Sequence, residues 1–243
     1  MIVKQELVII FLICLIIDRR WIVIRFEAVL FDLDGTLLDT IRDIADSMNI
    51  VLERFGFAAH PLDAYRYFIG DSVKWMITRA LPENRRDEET IEKCRAALSQ
   101  EYGGRWARTT KPYPDIPQLL TELQKRKIRK AILSNKPDEF TKPMVARLLP
   151  DFSFDIVLGV NPSIKRKPDP QAALLIAGKL GIPAEKFLYL GDTNTDMQTA
   201  AACGMYAVGA LWGYRDADEL LANGAKILVE KPLDVLKILD TQD

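Results

Sequence analysis

The chain has 243 residues, 49% hydrophobic and 28% charged, with a formal net charge of -1. This is ordinary globular composition with length enough for a sizeable core, which excludes a disordered chain. A nearly balanced charge gives no electrostatic reason to expect nucleic acid as a partner.

Read from the start, Leu7 to Ile17 is an unbroken apolar run of eleven residues, stopped by Asp18, Arg19 and Arg20. A spanning helix needs roughly 20 apolar residues, and no small-residue cleavage site follows. Residues 1–25 therefore read as an apolar extension outside the catalytic domain, either an upstream start or a short anchor. The first strand-like run is Ala28–Phe31, followed by Asp32, Asp34 and Gly35. Next comes a long stretch without strand signal. Ile41, Ile44, Ala45, Met48, Val51, Leu52 and Phe55 mark one helix face. Thr40 with Asp43 reads as its capping box and Gly56 as its stop. His60, the sole histidine, falls in a loop beside Pro61 and reads as a surface residue. One histidine outside any motif makes phosphohistidine chemistry, His-rich metal centres and a Ser-His-Asp triad poor expectations. Further helices fit 62–67, 73–81 and 88–102.

Beyond residue 110 the pattern changes. Apolar runs at 130–133, 155–158, 187–190 and 205–208 alternate with helical periodicity over 115–126, 138–148, 170–180 and 195–202. A strand-like 226–229 and a helix at 233–239 close the chain. Continuous apolar runs are strands covered on both faces, so the expectation is an α/β, doubly wound parallel sheet of Rossmann-like type. The domain pattern is a core of 26–39 and 111–243 with an inserted helical cap over 40–110. The basic run Lys125 to Lys130 reads as a solvated helix end. Cys14, Cys94 and Cys203 are odd in number and widely spaced, which fits a reducing cytoplasm better than a disulfide framework.

Ligands of an open parallel sheet bind beyond the carboxyl ends of its strands. Asp32 and Asp34 follow the first strand, Ser134 and Asn135 the second, and Asp192 and Asp196 the strand 187–190, while Lys167 precedes a helix. Residues two apart in extended backbone point the same way, so Asp32 and Asp34 can face one ligand. Gly35 allows the sharp turn and close approach that follow. Four carboxylates in one cleft call for a cation, and Mg²⁺ suits oxygen ligands and a phosphate. Ser134, Asn135 and loop N–H groups supply neutral donors to such a phosphate.

"DLDGT", "LSN", "RKPDP" and "GDTNTD", in this order, resemble the four motifs of the haloacid dehalogenase superfamily. "LLDT", "SNKP", "LWGY" and "GAKILVEKPLDVL" are most similar to phosphoglycolate phosphatases within it. The resemblance implies Asp32 as the nucleophile that forms an aspartyl phosphate and Asp34 as general acid and base. It implies Ser134 as a phosphoryl ligand, and Lys167 as the group that holds nucleophile and phosphate together. Asp32, the backbone carbonyl of Asp34, and Asp192 would bind Mg²⁺, with Asp196 supporting the metal shell. Gly35, Thr36 and Asn135, with Gly70, Asp71 and Ser72 of the cap stretch "YFIGDSVKWM", would bind substrate. An aspartate needs no base to be a nucleophile at neutral pH, whereas an alkoxide leaving group needs an acid. Asp34 argues against a dehalogenase, which lacks an acid there. Ser72 stands where a second Gly is common, and Val73 where the related phosphomutases tend to carry Arg.

The implied activity is Mg²⁺-dependent hydrolysis of small phosphorylated metabolites, 2-phosphoglycolate first, by a cytoplasmic monomer or homodimer. A phosphosugar mutase is the alternative. A receiver-like phospho-acceptor domain is a third reading, opposed by the insertion and by the acid beside the nucleophile.

Overall fold

The computed structural model describes residues 25–241, so the apolar run Leu7 to Ile17 and Cys14 lie outside the described residues. In chain order the elements are β1 (Ala28–Phe31), β2 (Leu38–Asp39), α1 (Ile41–Arg54), α2 (Tyr65–Phe68), α3 (Val73–Ala80), α4 (Glu88–Gly103), β3 (Lys111–Pro112), α5 (Ile116–Lys125) and β4 (Arg129–Pro137). There follow α6 (Asp138–Leu148), β5 (Ile156–Val160), α7 (Gln171–Leu180), β6 (Phe187–Gly191), α8 (Asn194–Cys203), β7 (Tyr206–Ala210), α9 (Ala217–Ala222), β8 (Ile227–Val229) and α10 (Asp234–Asp240).

Six strands form one sheet in the order β5-β4-β1-β6-β7-β8. Every pairing in it is parallel. The side-chain alternation of β1 explains why its run is apolar throughout. Val29 and Phe31 pack with Leu119, Leu120 and Leu123 of α5 and Met144 of α6. Ala28 and Leu30 point the other way, into Ala173 and Ile176 of α7 and Met197 and Ala200 of α8. Each large aliphatic or aromatic side chain buried in these layers contributes about 1.5–3 kcal/mol relative to exposure. Helices on both faces of a parallel sheet are the doubly wound α/β architecture that the alternating pattern predicts.

The chain leaves the sheet after β1 and returns through β3, which pairs antiparallel with β2. Between them α1, α3 and α4 pack around a separate cluster that includes Met48, Leu52, Ile77, Ile91 and Leu98. β2 and β3 have two residues each, too short to leave a periodic signal. Among the described residues, no helix is long and apolar enough to cross a membrane.

Several local expectations change. The capping box at α1 does not form: Thr40 Oγ1 lies 2.9 Å from the Tyr214 hydroxyl instead. Asp43 turns away and accepts from Thr109 N at 2.9 Å and from Thr110 N and Oγ1 at 2.9 and 2.7 Å. Donors from the returning chain thus outcompete the local cap. Gly56 does follow α1 with φ 77, as its stop requires. His60 is half-buried, with Nε2 2.8 Å from Ala80 O and its ring edge-on to Phe68. In the basic run, Arg126 pairs with Asp240 and Arg129 with Asp155, but Lys130 is buried in β4. β4 extends to Pro137, with a register shift against β5 between Leu133 and Pro137. Ser134 and Asn135 therefore sit on that irregularity within the strand rather than after it.

Candidate active site

The carboxyl ends of β1, β4 and β6 meet at one edge of the sheet. Asp32 leaves β1 with its N–H donating to Leu190 O of β6 at 3.0 Å. Lys167 reaches the same place from the segment before α7. Its Nζ is 2.8 Å from Asp32 Oδ1 and 2.6 Å from Asp196 Oδ1, and its side chain is 1% exposed. The Asp32 contact is an ion pair without hydrogen-bond geometry, so Asp32 Oδ1 is a buried carboxylate oxygen with no hydrogen-bond donor.

Asp32, Asp192 and Asp196 bring carboxylate oxygens within 4.8 Å of one another, all buried. Burial, Asp196 and Asp192 hold the Asp32 carboxyl well above the ordinary aspartate value, against the opposing pull of Lys167. Burial and Asp196 push Asp192 up to about 7. Like charges in a dry site cannot all ionise without a counter-charge. One lysine leaves this trio with an excess of two negative charges. Its donors are oxygens only, the set a hard divalent cation takes.

The three acids are not equivalent. Asp196 is fully engaged: Oδ1 accepts from Lys167 and, at 3.3 Å, from the Tyr189 hydroxyl, while Oδ2 accepts from Thr193 N and Oγ1 at 3.0 and 2.6 Å. That suits an orienting role. Asp192 accepts one donor per oxygen, from Thr36 Oγ1 at 2.6 Å and Tyr214 N at 2.8 Å, leaving acceptor capacity on each. Backbone closes in on both sides of it. A Cβ at Gly35, where φ is 84, would stand 2.2 Å from Asp192 Oδ2. A Cβ at Gly213 would stand 2.2 Å from Asp192 Cβ. Any side chain at either position displaces the carboxylate.

Asp32 and Asp34 both border a cavity of about 170 Å³, together with Ser134, Asn135, Gly70 and Ser72. Thr36 instead holds Asp192 from beneath. Ser72 caps α3, accepting from Trp75 N at 3.2 Å. Asp71 pairs with Arg79, and only its backbone carbonyl faces the core. Asn135 Nδ2 donates to the carbonyls of Gly70, Asp71 and Lys167 at 3.1, 2.9 and 3.1 Å, and Oδ1 accepts from Lys167 N at 2.8 Å. Asn135 therefore ties Gly70 and Asp71 to the segment carrying Lys167.

Two cations escape the motif reading. Lys136 Nζ lies 3.1 and 2.8 Å from the two oxygens of Asp34. Burial opposes its charge, but Asp34 outweighs burial and raises its pKa above the ordinary lysine value. Arg215, buried beyond "LWGY", donates to the carbonyls of Arg66 and Ile69. "SNKP" contains Lys136, so the signal was present, but only the fold brings that residue back to Asp34.

A family profile for haloacid dehalogenase-like hydrolases matches residues 29–210. The chain belongs to that family. Among curated relatives of these hydrolases, the phosphoglycolate phosphatase of Aquifex aeolicus is 32% identical over 214 residues, covering 88% of this chain and 97% of the relative. That of Aliivibrio fischeri is 29% identical over 199 residues, covering 80% and 88%. The crystal structure of a candidate phosphoglycolate phosphatase from Lactobacillus delbrueckii subsp. bulgaricus superposes with a TM-score of 0.84 at 28% identity, covering 88% of this chain and 98% of that one. The haloacid dehalogenase-like fold is thus shared with these hydrolases.

Proposed function

We propose that this hydrolase is a Mg²⁺-dependent phosphomonoesterase acting on small phosphorylated metabolites, with 2-phosphoglycolate the first candidate. The observation that carries the reading is one cavity bordered by two differently supported carboxylates, Asp32 and Asp34, and by Ser134. The names of the curated relatives supply the candidate substrate.

Asp32 is the nucleophile. Lys167 holds it through Oδ1, and its carboxylate attacks phosphorus to form an aspartyl phosphate as the bond from phosphorus to the ester oxygen breaks. Ser134 and the Lys167 ammonium bind the phosphoryl oxygens. Asp34 protonates the departing alkoxide and then takes a proton from the water that hydrolyses the intermediate. Asp32, Asp192 and the Asp34 carbonyl would hold Mg²⁺, and Asp196 would orient these groups through Lys167 and Thr193. When bound, the ion offsets the charge that builds on the phosphoryl group. Residues 40–110 act as a cap over the leaving group, with Gly70 and Ser72 on the cavity wall. The buried free thiols Cys94 and Cys203 fit a reducing cytoplasm.

The test is phosphate release over a panel of small phosphoesters, in enzyme treated with EDTA and then supplied with Mg²⁺. Turnover that vanishes on chelation and returns with Mg²⁺ is expected. Full activity after exhaustive chelation removes the metal from the reading, and no release from any ester removes the reading itself. Isomerisation of a sugar phosphate without release would favour the mutase.

A further inference from the structure

Beyond Asp34 the cavity wall is mostly apolar. Ile44, Val73, Met76, Leu98, Tyr102 and Phe140 form most of it, with Ser99 and Glu139 among its polar members. Two basic side chains also border it. Arg95 is half-exposed and paired with Glu92 at 2.7 Å. Lys136 is the other, with its side chain 5% exposed and its ammonium 4.8 Å from the centroid of the Tyr102 ring. Lys167, the buried lysine at the phosphoryl end, is already held by Asp32 and Asp196.

On the mechanism proposed above, the ester oxygen that leaves must meet Asp34. Lys136 touches both oxygens of Asp34 and borders the same cavity, so its ammonium is close to where the leaving oxygen must stand. An ammonium carries three donors, and a buried one needs acceptors. When Asp34 turns an oxygen toward the leaving group, Lys136 has a donor for a second acceptor on that same group. The acceptor within reach is a substituent on the carbon that bears the ester oxygen. A carboxylate there satisfies Lys136 in charge and occupies the donor that Asp34 gives up.

We propose that Lys136 is a specificity-determining residue that binds a carboxylate on the phosphate-bearing carbon of the substrate. The substrate class is then O-phosphorylated 2-hydroxy carboxylates. 2-Phosphoglycolate is the smallest member, and the apolar wall takes any further substituent on that carbon. This rests on the phosphomonoesterase reading and names the class that the site selects.

The experiment compares kcat/KM for 2-phosphoglycolate and for its carboxyl methyl ester. The ester has a leaving group at least as good and lacks only the negative charge. In the wild-type enzyme the acid should be preferred by about 10- to 100-fold, the range of a charge-assisted hydrogen bond. Lys136→Met should bring the ratio to within about threefold of unity, mainly by raising KM for the acid. Lys136→Arg should retain most of the preference. Should Lys136→Met not fold, the wild-type ratio decides alone, and a ratio near one overturns the proposal. So does a folded Lys136→Met enzyme with an unchanged ratio. If neither compound is hydrolysed while other phosphoesters are, the proposal falls and the phosphomonoesterase reading stands. If no phosphoester is hydrolysed, both fall.

Discussion

Asp32 and Asp34 are two positions apart and face different partners, Lys167 for the first and Lys136 for the second. Their replacement should separate the two half-reactions. On the proposed mechanism, Asp32→Asn removes the nucleophile, so no phosphoenzyme should form with any substrate. On the same mechanism, Asp34→Asn keeps the nucleophile and loses acid–base help, typically worth on the order of 10²–10⁴ in rate. p-Nitrophenolate needs little protonation to leave. With p-nitrophenyl phosphate this variant should give a stoichiometric burst and accumulate hydroxylamine-sensitive phosphoenzyme. A burst from Asp32→Asn, or unimpaired breakdown in Asp34→Asn, would show that the roles are exchanged or the route is not covalent. Both acids were legible because an apolar strand run ends directly on them. Lys136 and Arg215 were not, since each acts on a partner far away in the chain, and the spacing of a lone basic residue carries no record of that partner.

At the scale of elements, the helix α1 was legible from its apolar face, but its cap was not. The Thr40–Asp43 spacing fits a local box, yet Asp43 serves the crossing between outgoing and returning chain. It is 2% exposed and accepts from Thr109 and Thr110, which place β3 beside β2. Asp43→Ala leaves the buried Thr110 donors without a partner and should cost about 2–3 kcal/mol in urea unfolding. Burial opposes the charge on Asp43, but the Thr109 and Thr110 bonds outweigh it and lower its pKa. A lowered folded value means that the stabilisation is present above the ordinary aspartate pKa of about 3.9 and is lost as pH falls below it. The stability gap between wild type and Asp43→Ala should therefore narrow on acidification below that value. A gap independent of pH would mean that the side chain's volume, and not its charge, holds the crossing.

Over the whole molecule, a parallel sheet covered by helices on both faces follows from the alternating runs, and so was readable in outline. How the helical segment rests on the core was not, because it depends on side chains meeting backbone carbonyls. Arg215 of the core donates to Arg66 O and Ile69 O, while Arg66 donates to Gly213 O at 2.7 Å. Asn135 adds the carbonyls of Gly70 and Asp71. These bonds hold the segment over the cavity, and Arg215 contributes most of the charge-assisted ones. Arg215→Ala should speed amide hydrogen exchange across residues 66–71 by about tenfold or more, with β1 and β6 unaffected. It should also raise KM. Unchanged exchange at 66–71 would place the hold on the segment elsewhere.

The central place of β1 has a temporal consequence. Its neighbours are distant in sequence: Ala28 pairs with Arg129 on one side and with Phe187 on the other. Synthesis runs from the amino end at roughly 5–20 residues per second, so β1 waits on the order of ten seconds for β6 to be made. For the first part of that interval four apolar residues, Ala28–Phe31, have both backbone edges bare, and after β4 is made one edge still waits for β6. Such a strand is an aggregation hazard while it is bare. The acids that follow it stay apart from Asp192 and Asp196 until the sheet closes. Catalytic competence and protection from self-association thus arrive together, in one late event of chain assembly.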